Sequence, residues 1–181
     1  MKEASLNAFT AAMRSAWAPI DSDLVVSCRR DLTKLMNADH DEGWLKALLA
    51  ERPASRELYR DTENGFMLLA HTEEEGLFRP PHDHGRAWVV YGVHSGALEI
   101  RTYVKVFGPD GTARLVLRDS SILRDGEARA YLPGDIHDTC CVAGPALLFR
   151  FTERDLRHED QVARKVTRFV ERDGSWVSPR P

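Results

Sequence analysis

Apolar side chains in the first fifty-five residues recur at intervals of three and four, which is the spacing of one face of an α-helix. A first stripe precedes Pro19, a helix-stopping residue, and consists of Leu6, Phe9, Met13 and Trp17. Ser22 or Asp23 is placed to cap a second helix, whose apolar residues are Leu24, Cys28, Leu32 and Leu35. A third, shorter helix ends before Pro53 and carries Trp44, Leu45, Leu48 and Leu49. The pattern therefore predicts three helices whose apolar faces pack into a core.

Beyond about residue 56 the pattern changes to short segments rich in Val, Leu, Phe and Tyr. They include GFMLLAH, WVVYGVHSGALEIRTYVKVFG and PALLFRFTE, and turn-forming stretches such as GPDG at 108–111 and RDG at 172–174 separate them. Many short strands without intervening helices predict an antiparallel sandwich or small barrel. We expect one structural unit, in which a helical region at residues 1–55 packs on a barrel at residues 56–181 that ends in a hairpin.

Composition and charge argue against two classes of partner. The chain has 181 residues, of which 43% are hydrophobic and 29% are charged, as in an ordinary globular domain. Its net charge of −3 provides no electrostatic footprint for nucleic acid. The longest uncharged apolar stretch, CCVAGPALLF, is far too short to span a bilayer. We therefore expect neither a nucleic-acid nor a membrane partner.

The cysteines indicate a reducing compartment. Cys28, Cys140 and Cys141 are an odd number, and the last two are adjacent, which argues against the disulfide framework of a secreted protein. We therefore expect a cytoplasmic protein. We interpret Cys140 and Cys141 as small apolar residues of a buried strand rather than as a redox pair, because no cationic neighbour activates them.

Two histidines, His82 and His84, stand one residue apart just before an apolar run. In a strand, residues two apart project to the same face, so both imidazoles can point into a barrel. A third histidine, His137, follows the turn-forming stretch LPGDI about fifty residues later. Three imidazoles on one face would be a metal site. Asp83 and Asp138 alternate to the opposite face, and we expect them to be loop residues or hydrogen-bond partners of the imidazoles rather than ligands.

This arrangement resembles the two motifs of the cupin family, whose spacing is G-x5-HxH-x3–4-E-x6-G and G-x5-PxG-x2-H-x3-N. Seven positions fall in register, namely Gly76, His82, His84, Gly96, Gly126, Gly134 and His137. The chain departs at three others: the glutamate slot holds Trp88 or Val89, the proline is displaced to Pro133, and Cys141 replaces the asparagine. The resemblance covers about residues 60–152 and implies an all-β cupin, a double-stranded β-helix or jelly-roll barrel, with an N-terminal helical layer.

The missing glutamate narrows the resemblance to the cysteine dioxygenase and 3-mercaptopropionate dioxygenase (thiol dioxygenase) family, in which three histidines and no carboxylate hold iron. LPGDIHDT is similar to the PGDIH of bacterial mercaptopropionate-type members. The resemblance implies Fe(II) on His82, His84 and His137, although nickel, manganese and zinc also accept imidazole. It implies O2 and a small thiol carboxylic acid as substrates, a sulfinate as product, and a possible homodimer. A cupin dioxygenase that cleaves a C–C bond of a diketone-like substrate and a non-catalytic small-ligand-binding cupin are the alternatives.

The same resemblance suggests substrate-binding residues. Such enzymes place an arginine for the substrate carboxylate about ten residues before an aromatic, and SRELYRDTENGF at 55–66 offers Arg56 or Arg60. Trp88 would line the pocket or its mouth, with a plain core tryptophan as the equal alternative, and Arg129 is a further candidate to face the cavity.

One departure concerns the strand after the third histidine. Thiol dioxygenases carry Ser-x-His-x-Tyr there, whereas ALLFRFT places Phe149 and Phe151 in the histidine and tyrosine slots. Phe151 would then face the substrate as an apolar residue, and Arg150 would point outward by alternation. Because a phenyl ring cannot donate a hydrogen bond, the second shell of the site differs from that of the family.

Overall fold

The computed structural model of the protein describes residues 4–109 and 111–178. Within these residues, three helices precede nine strands, and a π-helical turn lies at His158–Val162. The helices are α1 (Ala4–Ala16), α2 (Ser22–Met36) and α3 (Gly43–Glu51). The strands are β1 (Arg56–Arg60), β2 (Met67–Glu73), β3 (Phe78–His82), β4 (Val89–Phe107), β5 (Ala113–Arg124), β6 (Ala128–Tyr131), β7 (Ile136–Thr152), β8 (Val170–Arg172) and β9 (Ser175–Val177).

Two long strands, β4 and β7, organise the sheet. They pair antiparallel along most of their length, from Val89 opposite Thr152 to Tyr103 opposite Ile136. In one half of this ladder, β7 also pairs with β2 and β4 with β6, whereas in the other half β7 pairs with β3 and β4 with β5. Strand β1 extends the sheet beyond β2, and β9 and β8 extend it beyond β5. The antiparallel β architecture predicted from the turn spacing is thus confirmed.

The β4–β7 ladder is interrupted near its middle, where its register shifts between Val93 and Leu98. Gly96 adopts a φ of 85° there, and a Cβ atom on it would lie 2.5 Å from the carbonyl oxygen of Ala143. Only glycine meets both conditions, because a side chain disfavours positive φ and would collide with the neighbouring strand. Irregularities of this kind bend and twist strands, and the sheet curls around an inner face.

The helices cover the outer face of the half that contains β2 and β6. The apolar stripes of all three helices form one core cluster with outer-face strand residues, among them Leu68, Ala70, Val90, Phe149 and Phe151. Helix α2 is capped by Asp21 rather than by Ser22 or Asp23, because the Asp21 carboxylate accepts a hydrogen bond from the backbone N–H of Leu24 at 2.8 Å. A second core cluster lines the inner face and includes Val89, Tyr91, Val93, Tyr131 and Leu148.

Strand β7 corrects the predicted alternation. Phe149 and Phe151 face outward to the helices, where Phe149 contacts Trp44 with ring centroids 5.8 Å apart and Phe151 contacts Phe9 at 6.1 Å. The prediction that they face the interior while Arg150 points outward is therefore wrong. Because the helices bury the outer face as well, apolar residues occupy both faces of the strand. A polar residue such as Arg150 therefore does not show which face of the strand points away from the interior.

The last two described strands, β8 and β9, form a hairpin, with Val170 opposite Val177 and the turn at Asp173 and Gly174, as RDG indicates. Asp110 of the predicted GPDG turn lies outside the described residues. Among the helices in the described part of the chain, none has the length and apolar character needed to cross a membrane.

Candidate metal centre

The three histidines predicted as ligands lie together on the inner face. Each offers a ring nitrogen, and these nitrogens all lie within 4.8 Å of one another. The ring centroid of His82 is 5.2 Å from that of His84 and 5.0 Å from that of His137, and His84 and His137 are also 5.0 Å apart. Pairing of β3 with β7 sets His82 directly opposite His137, and His84 follows two residues beyond the end of β3.

The backbone between the two neighbouring histidines is held by Asp83. Its carboxylate accepts hydrogen bonds from the backbone N–H groups of Gly85 at 3.0 Å and Thr167 at 2.8 Å, and its own N–H donates to the Thr167 carbonyl. Nearby, the Arg86 backbone and guanidinium donate to the buried Glu159 carboxylate at 2.9 Å. These bonds attach the segment after β7 to the histidine loop, so Asp83 has the loop role that was predicted for it.

All three imidazoles are suited to be neutral ligands. Burial lowers the pKa of His82, and it lowers the pKa values of His84 and His137 well below the ordinary value, with the neighbouring histidines acting in the same direction. The neutral ring is the form that binds a metal. The Nδ1 atom of His82 lies 2.8 Å from the Pro80 carbonyl oxygen, which can only accept, so Nδ1 carries the proton and Nε2 is left for a metal.

The unpaired nitrogens fit a metal ion. Within the described residues, Nδ1 of His84 and both ring nitrogens of His137 are buried without a hydrogen-bond partner. A buried polar atom without a partner costs about 1–3 kcal/mol, and a divalent cation at the centre of the cluster would satisfy Nδ1 of His84 and one of the two nitrogens of His137. No carboxylate or thiolate of the described chain belongs to the cluster. Asp138 binds Arg101 at 2.8 Å and Tyr103 at 2.6 Å instead, and not an imidazole.

Two tyrosines that the sequence analysis did not single out border the cluster. The Tyr91 hydroxyl lies 3.2 Å from Nε2 of His84, and the Tyr131 ring centroid lies 4.2 Å from that of His137. Burial raises the pKa of the Tyr91 hydroxyl, and the charge of Arg150 opposes this effect. Tyr91 therefore keeps its proton at neutral pH and can donate a hydrogen bond at the site. The signal that could have found it is alternation, since Tyr91 shares its face with Val89 and Val93.

Arg150 is a charged residue of the inner face. It lies opposite Tyr91 on β4 and opposite Leu69 on β2. Burial lowers the pKa of its guanidinium, and its Nε atom is buried without a hydrogen-bond partner among the described residues. A cavity of about 310 Å³ is lined by His82, His84, Tyr91, Arg150, Leu156 and Arg168. An adjoining cavity of about 250 Å³ shares Arg150, Leu156 and Arg168 with it.

The two predicted arginines of β1 lie away from the histidines. Arg56 is bound to Glu51 at the surface and lines neither cavity. Arg60 lines the adjoining cavity but pairs with Glu57 at 2.8 Å and Asp155 at 3.0 Å. Both side chains are thus engaged by carboxylates of their own surroundings.

The other predicted substrate residues divide between the two faces of the sheet. Trp88 and Phe151 contact each other on the helix-covered side, with ring centroids 5.1 Å apart, and neither lines the histidine cavity. Trp88 is a core tryptophan of that side, and the prediction that Phe151 faces the substrate is wrong. Arg129 is the β6 partner of Tyr91, so it shares the inner face, and its guanidinium donates to the Ser121 hydroxyl.

No protein-family model matches the chain, and no curated protein sequence matches it significantly. Solved structures similar to it include KdgF from Halomonas sp., with 16% identity and a TM-score of 0.43 over 54% of this chain and 74% of that one. The cupin domain of Cnp3 from Schizosaccharomyces pombe has 10% sequence identity and a TM-score of 0.43, over 59% of this chain and 69% of that one. An oxalate oxidase in complex with the substrate analogue glycolate has 20% identity and a TM-score of 0.40, over 55% of this chain and 50% of that one. At these identities and TM-scores, the similarity assigns neither an activity nor a substrate.

Fold and site together define a class: a curled antiparallel β-sheet protein whose inner face carries three neutral imidazoles suited to a divalent metal.

Proposed function

We propose that the protein is a mononuclear non-haem Fe(II) dioxygenase that oxidises a small thiol carboxylic acid to a sulfinate. The observation that carries the proposal is the cluster of His82, His84 and His137 as neutral imidazoles, without a carboxylate in the described cluster. His82 and His84 of this cluster line the cavity. Three neutral ligands leave the charge of a divalent metal uncompensated, which favours anionic substrate atoms such as a thiolate. The cupin motifs that these residues resemble imply the same chemistry.

In the proposed reaction, one thiol and one O2 give one sulfinic acid, so both oxygen atoms end on sulfur, which is oxidised as O2 is reduced. The three histidines would hold Fe(II), which would supply Lewis acidity toward the thiolate and the redox chemistry with O2. The chain's own contribution is positioning. The Pro80 carbonyl orients the His82 ring, and the Tyr91 hydroxyl can donate a hydrogen bond next to His84.

The location of Tyr91 is relevant to the absence of the tyrosine that thiol dioxygenases carry after the third histidine. The family's tyrosine belongs to the strand after the third histidine, where this chain has no tyrosine. Here a protonated phenol reaches the cluster from β4, opposite Arg150. A hydrogen-bond donor is therefore present at the site even though Phe151 faces the helices.

The test is metal content followed by oxygen consumption. Protein purified without oxygen is analysed by plasma mass spectrometry, loaded with Fe(II), and assayed for O2 uptake with cysteine, 3-mercaptopropionate, mercaptosuccinate and a β-diketone. We expect near-stoichiometric metal and thiol-dependent uptake, which His137→Ala abolishes and the exposed control His158→Ala retains. Bound metal with uptake on the diketone alone would transfer the proposal to C–C cleavage. Absence of uptake on every compound would leave a non-catalytic ligand-binding protein.

A further inference from the structure

Arg150 is a charged residue on the inner face without a carboxylate partner. Among the described residues, no salt bridge reaches it. The nearby carboxylates are already engaged with other arginines: Glu73 with Arg79, Glu57 and Asp155 with Arg60, and Asp160 with Arg168. One cation at the junction of the two cavities is therefore left uncompensated.

Such a residue is unfavourable in the free protein. Removing part of a guanidinium from water costs free energy that an ion pair usually offsets, and here the neighbouring hydroxyl of Tyr91 offers only a neutral partner. An anionic ligand in the cavity would supply the missing charge. Because Arg150, His82 and His84 line the same cavity, one small molecule can contact Arg150 and the histidines at the same time.

We propose that Arg150 binds the carboxylate of the substrate and thereby selects small acids whose metal-binding atom lies a few carbons from the carboxylate. The inference rests on the proposed function, and it replaces Arg56 and Arg60 as carboxylate-binding residues. A guanidinium presents two parallel donors that match the two oxygens of a carboxylate. Arg168 lines the same cavity but is largely exposed and paired with Asp160, so it contributes little selectivity.

The test compares an acid with its neutral analogue. Dissociation constants for 3-mercaptopropionate and 3-mercaptopropionamide are measured by calorimetry under anaerobic conditions on Co(II)-loaded protein, so that no turnover is needed. We expect the wild-type protein to bind the acid at least about tenfold more tightly than the amide. Arg150→Gln should remove this preference. Arg150→Lys should retain part of it, because lysine keeps the positive charge but lacks the two parallel donors of the guanidinium. Arg60→Gln should leave the preference unchanged.

Thermal melting and Co(II) stoichiometry verify that each variant is folded and loaded. Equal affinity of the wild-type protein for acid and amide would overturn the proposal, and so would a preference that survives in folded Arg150→Gln. The proposed function fails separately. If the protein binds no Co(II), or consumes no O2 once loaded with Fe(II), the dioxygenase is refuted. The comparison of acid and amide remains informative after either failure, and it is made on metal-free protein if no Co(II) binds. Loss of the preference for the acid in Arg150→Gln would still support carboxylate binding by Arg150, and any other result would refute it.

Discussion

His82 and His137 are direct cross-strand partners in the β3–β7 ladder, and their ring centroids lie 5.0 Å apart. Two of the three imidazoles are therefore positioned by the pairing of β3 with β7. Since β3 also joins the loop that carries His84, the geometry of the site follows from the sheet. A preorganised site of this kind binds its metal without ordering the chain first.

Metal binding should accordingly stabilise the folded chain without being required for folding. A ligand that binds only the folded state stabilises it by about 2.7 kcal/mol at a free concentration one hundred times its Kd. We expect Co(II) to raise the melting temperature of the wild-type protein and EDTA to reverse the effect. His137→Ala should melt close to the metal-free wild-type protein and gain nothing from Co(II), as calorimetry can check. Cooperative melting only in the presence of metal would contradict a preformed site.

Arg150 and Arg86 should have opposite effects on stability when replaced by methionine. Arg86 lowers the pKa of the buried Glu159 to about 2 through their hydrogen bonds. Arg86→Met removes the guanidinium that donates to this carboxylate and should destabilise the folded protein. Arg150→Met removes a charge that lacks a carboxylate and should stabilise the ligand-free protein by about 1 kcal/mol. Urea denaturation compares them, and a destabilised Arg150→Met would show that Arg150 has a structural partner.

Buried histidines should make the metal-free protein less stable in mild acid. Burial lowers the pKa of His71 to about 3, and this residue lies outside the histidine cluster. The folded state thus keeps His71 neutral while the unfolded state takes up a proton near pH 6.5. Stability is then fully present above about pH 6.5 and falls as the pH drops from there toward 3, by at most about 1.4 kcal/mol per pH unit for each such histidine.

His71→Gln tests this dependence without touching the cluster. The variant should lose stability less steeply than the wild-type protein below pH 6.5, in denaturation curves recorded from pH 7.5 to 4.5 with EDTA present. The exposed His158→Gln serves as the control and should retain the wild-type slope. Parallel curves for His71→Gln and the wild-type protein would mean that His71 becomes protonated in the folded state.

How much of the site the sequence predicts depends on the kind of signal. The histidines His82, His84 and His137 were found because alternation sets the first two on one face and because their spacing from glycines resembles the two cupin motifs. Arg150 and Tyr91 were missed for a different reason. Alternation says which residues share a face but not which face is inside, and here helices α1–α3 make both faces of β7 apolar. Only the packing of the helices shows which face is inside. It places Arg150 on the inner face and its neighbours Phe149 and Phe151 on the outer face, which is the reverse of the prediction.

The role of the Tyr91 hydroxyl can be separated from that of its ring. Tyr91→Phe keeps the ring that contacts His137 at 5.4 Å but removes the donor next to His84. If this hydroxyl orients the reacting groups, kcat for thiol oxidation should fall by about 10–100-fold, with metal content unchanged and KM little affected. The matched control is Tyr131→Phe, because the Tyr131 hydroxyl is buried without a partner in the described structure. It should retain the wild-type rate and melt at the same temperature or higher. Equal rates for Tyr91→Phe and Tyr131→Phe would exclude a part for the Tyr91 hydroxyl in the reaction and leave positioning to the histidines and Arg150.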